Sequence, residues 1–134
     1  MYPMKKMAFS EAVSRSQKIR DIYHRLELKH HGSKWTTEED ALAFLTDAGI
    51  VGRLTMAHQG RWPMEKGKAH DLEHKIGECI WWLIALADRM EIDPESALAS
   101  FLTTTEEQLK GPNASTSPKR KARRVAAERV NPRR

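Results

Sequence analysis

Apolar positions recur at three- and four-residue steps in four separate stretches of the chain, and nowhere alternate for long enough to build a strand. The first stretch predicts a helix from about Ser10, an N-cap residue, to about Leu28, with Val13, Ile19, Ile22, Tyr23 and Leu26 as its apolar positions. In "KHHGSKW", Gly32 supplies a left-handed C-terminal turn, and Lys29, His30 and His31 bring donors to the helix's negative end. Adjacent histidines point different ways on a helix, which favours capping over metal binding. The second helix opens at "WTTEEDALAFL", where Thr36 and Glu39 have capping-box spacing and the acidic first turn suits the helix dipole. Its internal Gly49 and Gly52 each cost about 1 kcal/mol against alanine, and close approach of another backbone is the usual compensation. "HQGRWPMEKG" is a loop, with Trp62 as its anchor. A third helix is predicted from about Lys68 to Met90. A fourth starts with Asp93 as N-cap and Pro94 at its first position, stops at Gly111-Pro112, and offers Leu98, Phe101, Leu102 and Leu109 as a core side. The expected fold class is all-α, an antiparallel four-helix arrangement over residues 1–111, with 112–134 a disordered basic tail.

The third helix, "HDLEHKIGECIWWLIALADRMEID", is polar in its first half and apolar on every side in its second. At 100° per residue, Leu72, Ile76, Cys79, Leu83, Leu86 and Met90 fall in one band, the expected core stripe. Asp71, Lys75, Glu78 and Trp82 form a second stripe beside it, placing two carboxylates and an ammonium at the edge of the buried face. Lys75 paired with Glu78 or Asp71 is the ordinary structural use of such residues. Ile80, Trp81, Ile84 and Ala85 cover most of the remaining surface. A helix apolar all round must be covered all round, so the residues around Trp81 and Ile84 predict a homo-oligomer, dimer or tetramer.

Charge changes this picture in one place. The whole chain carries +5, but "KRKARRVAAERVNPRR" from Lys119 to Arg134 holds eight Lys/Arg against one Glu, so the remainder, Met1–Pro118, is at −2. Non-specific nucleic-acid binding therefore falls to Lys119, Arg120, Lys121, Arg123 and Arg124 in the tail, where it would be sensitive to salt. The longest uncharged apolar run, Cys79–Ala87, is far short of the roughly 20 residues that span a bilayer. No signal-peptide pattern opens the chain, so a cytoplasmic protein without a membrane partner is expected. The single cysteine, Cys79, excludes a disulfide framework and a CxxC metal site and reads as a buried, inert thiol. No P-loop, zinc spacing or Ser/His/Asp order is present.

The run "WTTEEDALAFLTDAGIVGRLTMAHQGRWP" followed by "LEHKIGECIWWLIALADRMEIDPESALASFLTTTEEQL" resembles the MazG-like, all-α nucleoside triphosphate pyrophosphohydrolases. The likeness covers about Trp35 to Leu109. It rests on the G-x-x-x-R-L-x-M-A-x-x-G pattern from Gly49 to Gly60 and on C-I-W-x-x-x-x-L-A-D followed by x-x-x-I-D, ending at Asp93. The resemblance implies cleavage of an NTP or dNTP to a nucleoside monophosphate and pyrophosphate, with Mg²⁺ (or Mn²⁺) held by E-E-x-x-E/D on one helix and E-x-x-D on the next. Hard oxygen ligands on a shared helix face suit Mg²⁺, which neutralises the triphosphate and activates water.

Carried onto this chain, the first motif falls on Thr46, Asp47, Ala48, Gly49 and Ile50, and the second on Lys75, Ile76, Gly77 and Glu78. Five carboxylates of the family pattern become two, Asp47 and Glu78, which are the candidate catalytic residues. Asp71, one turn before Lys75, joins them as a candidate metal ligand; Asp40, Glu73 and His74 are further sources of ligand atoms. Lys75 and Trp82 are candidate substrate-binding residues, Lys75 as a direct triphosphate contact. Two functions are thus expected of one frame: the family's pyrophosphohydrolase activity, or a fold that has lost catalysis and serves as a nucleotide-binding or protein-interaction module.

Overall fold

The computed structural model describes residues 4–63 and 71–111. Four α-helices make up its regular structure: α1 Phe9–His31, α2 Thr37–His58, α3 Asp71–Arg89 and α4 Pro94–Lys110, with no strand among the described residues. The class is all-α, as the periodicity predicts. None of these helices is long and apolar enough to cross a membrane. The expected tail lies outside the described residues, as does the expected start of α3 at Lys68.

Local signals set three of the helix ends. Thr36 caps α2, its hydroxyl accepting from the Glu39 N–H at 3.1 Å and donating to the Glu39 carboxylate at 3.3 Å. Gly32, at φ 75°, closes α1 by donating its N–H to the Leu28 carbonyl. Asp93 accepts from the Glu95 N–H ahead of α4. At the start of α1 the structure differs: the cap residue is Ala8, without a side-chain bond, and Ser10 lies inside the helix. Trp62 does anchor its loop, lying under the Arg53 guanidinium at 4.1 Å from ring centroid to Cζ.

The chain divides into two compact units, one ending at Glu95 and one beginning at Ser96. In the first unit α3 packs extensively on α2 and also on α1. The pairs Asp40–Arg89 and Asp47–Lys75 show α2 and α3 to be antiparallel. On α1, Gln17 reaches Asp88 at 2.7 Å and Tyr23 packs against Trp81.

Three expectations about which face is buried are corrected. On α1 the buried residues are Ser16, Arg20 and Glu27, while Ile19, Ile22, Tyr23 and Leu26 remain substantially exposed. On α3 the core is Trp82, Ile84, Ala85 and Leu86, and only Leu86 belongs to the expected stripe; Ile76, Leu83 and Met90 are exposed. The helix is rotated toward its polar stripe because Lys75 and Trp82 find partners on α2 that Ile76 and Leu83 lack. On α4 no residue is buried, and Leu98, Phe101, Leu102 and Leu109 are all exposed.

What joins the three helices is a closed set of charges. Asp40 has no exposed surface; its Oδ1 accepts from Arg20 Nη2 at 2.6 Å and its Oδ2 from Arg89 Nη1 at 2.9 Å. Arg20 also donates through Nη1 to Glu27 at 2.8 Å, and Glu27 accepts the Trp35 N–H at 2.8 Å. Arg89 donates further to the Trp35 carbonyl at 2.7 Å. Two positive and two negative side chains from α1, α2 and α3 thus cancel. Burial works against the charge on Arg20, yet its bonds to Glu27 and Asp40 hold its pKa above the ordinary value. Burial likewise opposes the Glu27 charge, and the bonds from Arg20 and the Trp35 N–H overcome it, leaving that pKa below the usual range.

Asp40→Ala strands two arginines and is expected to destabilise the protein by about 3–5 kcal/mol, read from urea unfolding; a loss under about 1 kcal/mol would show the network to be dispensable. Because the folded Glu27 pKa is depressed, its stabilisation is complete above the ordinary carboxylate range and disappears as pH falls through the folded value. The melting temperature should therefore drop on acidification below about pH 4.5, and less steeply in Glu27→Gln than in the native protein.

Candidate functional site

One heptad along α2 from Asp40, Asp47 faces the polar half of α3. Lys75 Nζ lies 3.2 Å from Asp47 Oδ1 and 2.9 Å from Glu78 Oε2. The second Asp47 oxygen, Oδ2, accepts the Trp82 indole N–H at 2.9 Å. The structure therefore brings together four of the five residues selected from the sequence: Asp47, Lys75, Glu78 and Trp82. Asp71, the fifth, is exposed at the first residue of α3. No three His, Cys, Asp or Glu side chains are grouped so as to hold a metal ion among the described residues. Of the further ligand sources, Asp40 is consumed by the two arginines, while Glu73 and His74 line an open groove with Gly77 and Glu78.

Helical spacing explains the arrangement. Lys75, Glu78 and Trp82 are separated by three and four residues and share one face of α3. Trp82 is 7% exposed, so its N–H needs an acceptor, and Asp47 provides it. Asp47 thereby has one oxygen on the indole and the other on the ammonium. The bond to Glu78, then that to Asp47, raises the Lys75 pKa against a smaller opposing effect of burial. Cys79, on the next position, is a free thiol of intermediate exposure whose pKa is raised, first by burial and then by the Asp47 and Glu78 charges. It stays protonated and unreactive at neutral pH.

Mg²⁺ does not fit this donor set. Both carboxylates converge on one point, and that point is occupied by a tethered ammonium that satisfies them. A divalent ion entering there would meet a fixed positive charge and two remaining carboxylates already engaged by an N–H or N⁺–H.

Beside the cluster runs a groove of about 320 Å³ between α1 and α3. Aromatic rings dominate its walls: Tyr23, Trp35, Trp81 and Trp82, with His30 and His31 at one end and Glu78 reaching in. Trp81 packs against Tyr23 and Trp82 with ring centroids 5.7 and 4.6 Å apart, and donates its N–H to the Ser16 carbonyl. Arg20 lies over Trp82 at 5.5 Å. His30 and His31 occupy the last turn of α1, as expected for capping residues. Between Arg20 and Glu27, His24 has a buried Nε2 without a hydrogen-bond partner; burial, then repulsion by Arg20 and Arg89, lowers its pKa and keeps it neutral.

Sequence reasoning missed Arg20, Glu27 and Arg89 and the groove that Arg20 and Glu27 border. The available signal was the polar stripe Ser16, Arg20, His24 and Glu27 at helical spacing on a helix whose other face is apolar. Trp81 and Ile84 are not an exposed oligomer surface as expected, since Ile84 is buried and Trp81 is packed against α1. No family model, no curated protein and no solved structure matches the chain.

Since the folded Lys75 pKa is raised, its ion pairs stabilise fully below the ordinary lysine value and are lost only as pH rises through the folded value. Asp47→Asn should bring the Lys75 titration, followed by NMR at its ε-carbon, back toward ordinary lysine; an unchanged titration would remove Asp47 from the cluster.

Proposed function

We propose that the chain is a MazG-like, four-helix-type domain that has exchanged its metal site for an internal ion pair and works as a binding module without hydrolysing nucleotides. The observation that carries this is Lys75, whose ammonium stands within 3.2 Å of both Asp47 and Glu78. In the family pattern those two carboxylates would be metal ligands, and position 75 itself would be a third. A lysine at that position supplies a positive charge that the two carboxylates already engage, and unlike a metal ion it has no open coordination position at which to activate water. The folding role of the metal is retained and its chemistry is lost.

The aromatic groove is the place for a ligand in this reading. Flat rings of Trp81, Trp82, Tyr23 and Trp35 suit the base of a nucleotide, which would stack without help from a metal. The Asp47–Lys75–Glu78 cluster is net negative, so a triphosphate beside it would be repelled unless it pointed toward His30 and His31. The groove thus favours a nucleoside or monophosphate over the triphosphate that the family's reaction requires.

The test is pyrophosphate release from a panel of NTPs and dNTPs with Mg²⁺ or Mn²⁺, together with Mn²⁺ binding by electron paramagnetic resonance and tryptophan quenching by nucleosides. The expected results are no pyrophosphate above background, no bound Mn²⁺, and quenching that is weakened in Tyr23→Ala. Lys75→Glu, which returns a carboxylate to the cluster, should bind Mn²⁺ where the native protein does not. Pyrophosphate release abolished by Glu78→Gln would overturn the proposal and restore the hydrolase, with Lys75 swinging aside to admit the ion.

A further inference from the structure

On α2 the side turned away from α3 carries Leu42, Leu45, Gly49, Gly52 and Met56, at successive steps of three, four, three and four residues. Such spacing is that of a coiled-coil seam. The seam is uncovered: Leu42 is 64% exposed, Leu45 65% and Met56 45%. Both glycines are exposed, and a Cβ added at either would meet nothing within 4 Å. The sequence leads one to expect another backbone close to these glycines, and none is there among the described residues. Two helix-weakening residues in the middle of an exposed apolar line are explained if the backbone they admit belongs to another molecule.

We infer that α2 pairs antiparallel with α2 of a second copy of this chain. The pattern is complementary to itself in that direction. With the two-fold axis crossing the seam at the level of residue 47, on the side of α2 opposite Asp47, Leu42 lies against Gly52 of the second copy and Leu45 against its Gly49, so that each large side chain enters the space left by a missing one. Parallel pairing would set leucine on leucine and glycine on glycine, leaving the glycine layers empty. Charge agrees with the antiparallel choice. Glu39, Thr46 and Arg53 follow one another at seven-residue steps along one flank of the seam, and all three are exposed. Reversing the second helix brings Glu39 beside Arg53 of the other copy, twice by symmetry, and Thr46 beside its counterpart. Arg53 lies over the Trp62 ring and Glu39 accepts from the Thr36 hydroxyl, and both residues are exposed. Antiparallel helices also oppose their macrodipoles favourably, the acidic first turn of one meeting the end of the other that carries Arg53 and His58.

Sedimentation equilibrium of the full chain over a range of concentrations reads the stoichiometry, with a dimer of twice 15.4 kDa expected. Leu42→Glu with Leu45→Glu should weaken dimerisation at least tenfold while the helical circular dichroism is unchanged, because both positions are solvent-exposed in the single chain. Glu39→Arg and Arg53→Glu should each weaken the dimer, and the two together should restore it. For orientation, a Cys79→Ala background carrying Thr46→Cys should be cross-linked by a short bismaleimide. Met56→Cys should not, since antiparallel pairing separates those positions by about 27 Å at 1.5 Å per residue. A monomer at all concentrations, a dimer indifferent to the leucine changes, or cross-linking at position 56 but not 46 would each overturn the inference.

Discussion

The side chain of Asp40 has no contact with water, and the first compact unit is arranged around the cost of putting its charge there. A carboxylate taken out of water is tolerated only when its lone pairs are filled by charged donors. Arg20 of α1 and Arg89 of α3 fill them. Those two arginines would in turn overcharge the interior, and Glu27 restores neutrality while taking up the Trp35 N–H. Each member is satisfied only if helices α1, α2 and α3 sit in one register. The network thus defines an arrangement that apolar contacts alone would leave loosely specified, since the buried hydrophobic residues among those described are Trp82, Ile84, Ala85 and Leu86.

The same logic repeats one heptad further along α2. Asp47 faces α3 as Asp40 does, and it too is answered by a cation from that helix, with an indole N–H as second donor. The difference lies in exposure. Around Asp40 the charges are sealed; around Asp47 the Lys75 and Glu78 side chains remain about a quarter exposed, beside an aromatic groove. Under the proposed MazG-like reading, a cation tethered at position 75 stands where that pattern would place a metal ligand, and it balances the two carboxylates without a metal ion.

Short-range signals in the sequence carried well into the structure. Thr36 with Glu39, Gly32, and Asp93 with Pro94 act through bonds within a few residues, so the helix ends they set do not depend on tertiary partners. Periodicity showed four helices and gathered Lys75, Glu78 and Trp82 on one face. What periodicity could not show was which face of each helix is inward. Apolar spacing on α1 pointed to Ile19, Ile22 and Leu26, while the buried side is Ser16, Arg20 and Glu27. An arginine and a glutamate at helical spacing look solvated until the Asp40 and Arg89 that neutralise them are known, and those lie 20 and 69 residues further along the chain from Arg20. Asp71 shares the stripe by angle and is exposed at the first residue of α3.

A polar interior has a consequence for the exterior. Burying charges on the inward faces of α1 and α2 displaces apolar residues to the outward ones, where Leu42, Leu45, Ile19 and Ile22 lie exposed. In a monomer those residues would gain nothing from folding, and the small core would have to offset the ordering entropy by itself. An assembly changes that balance, because apolar area left on the surface of one chain is buried on association instead. The polar network and the uncovered seam are then complementary devices. The first fixes the relative positions of three helices, and on the inferred α2 pairing the second would obtain from a neighbour the hydrophobic stabilisation that the first displaced.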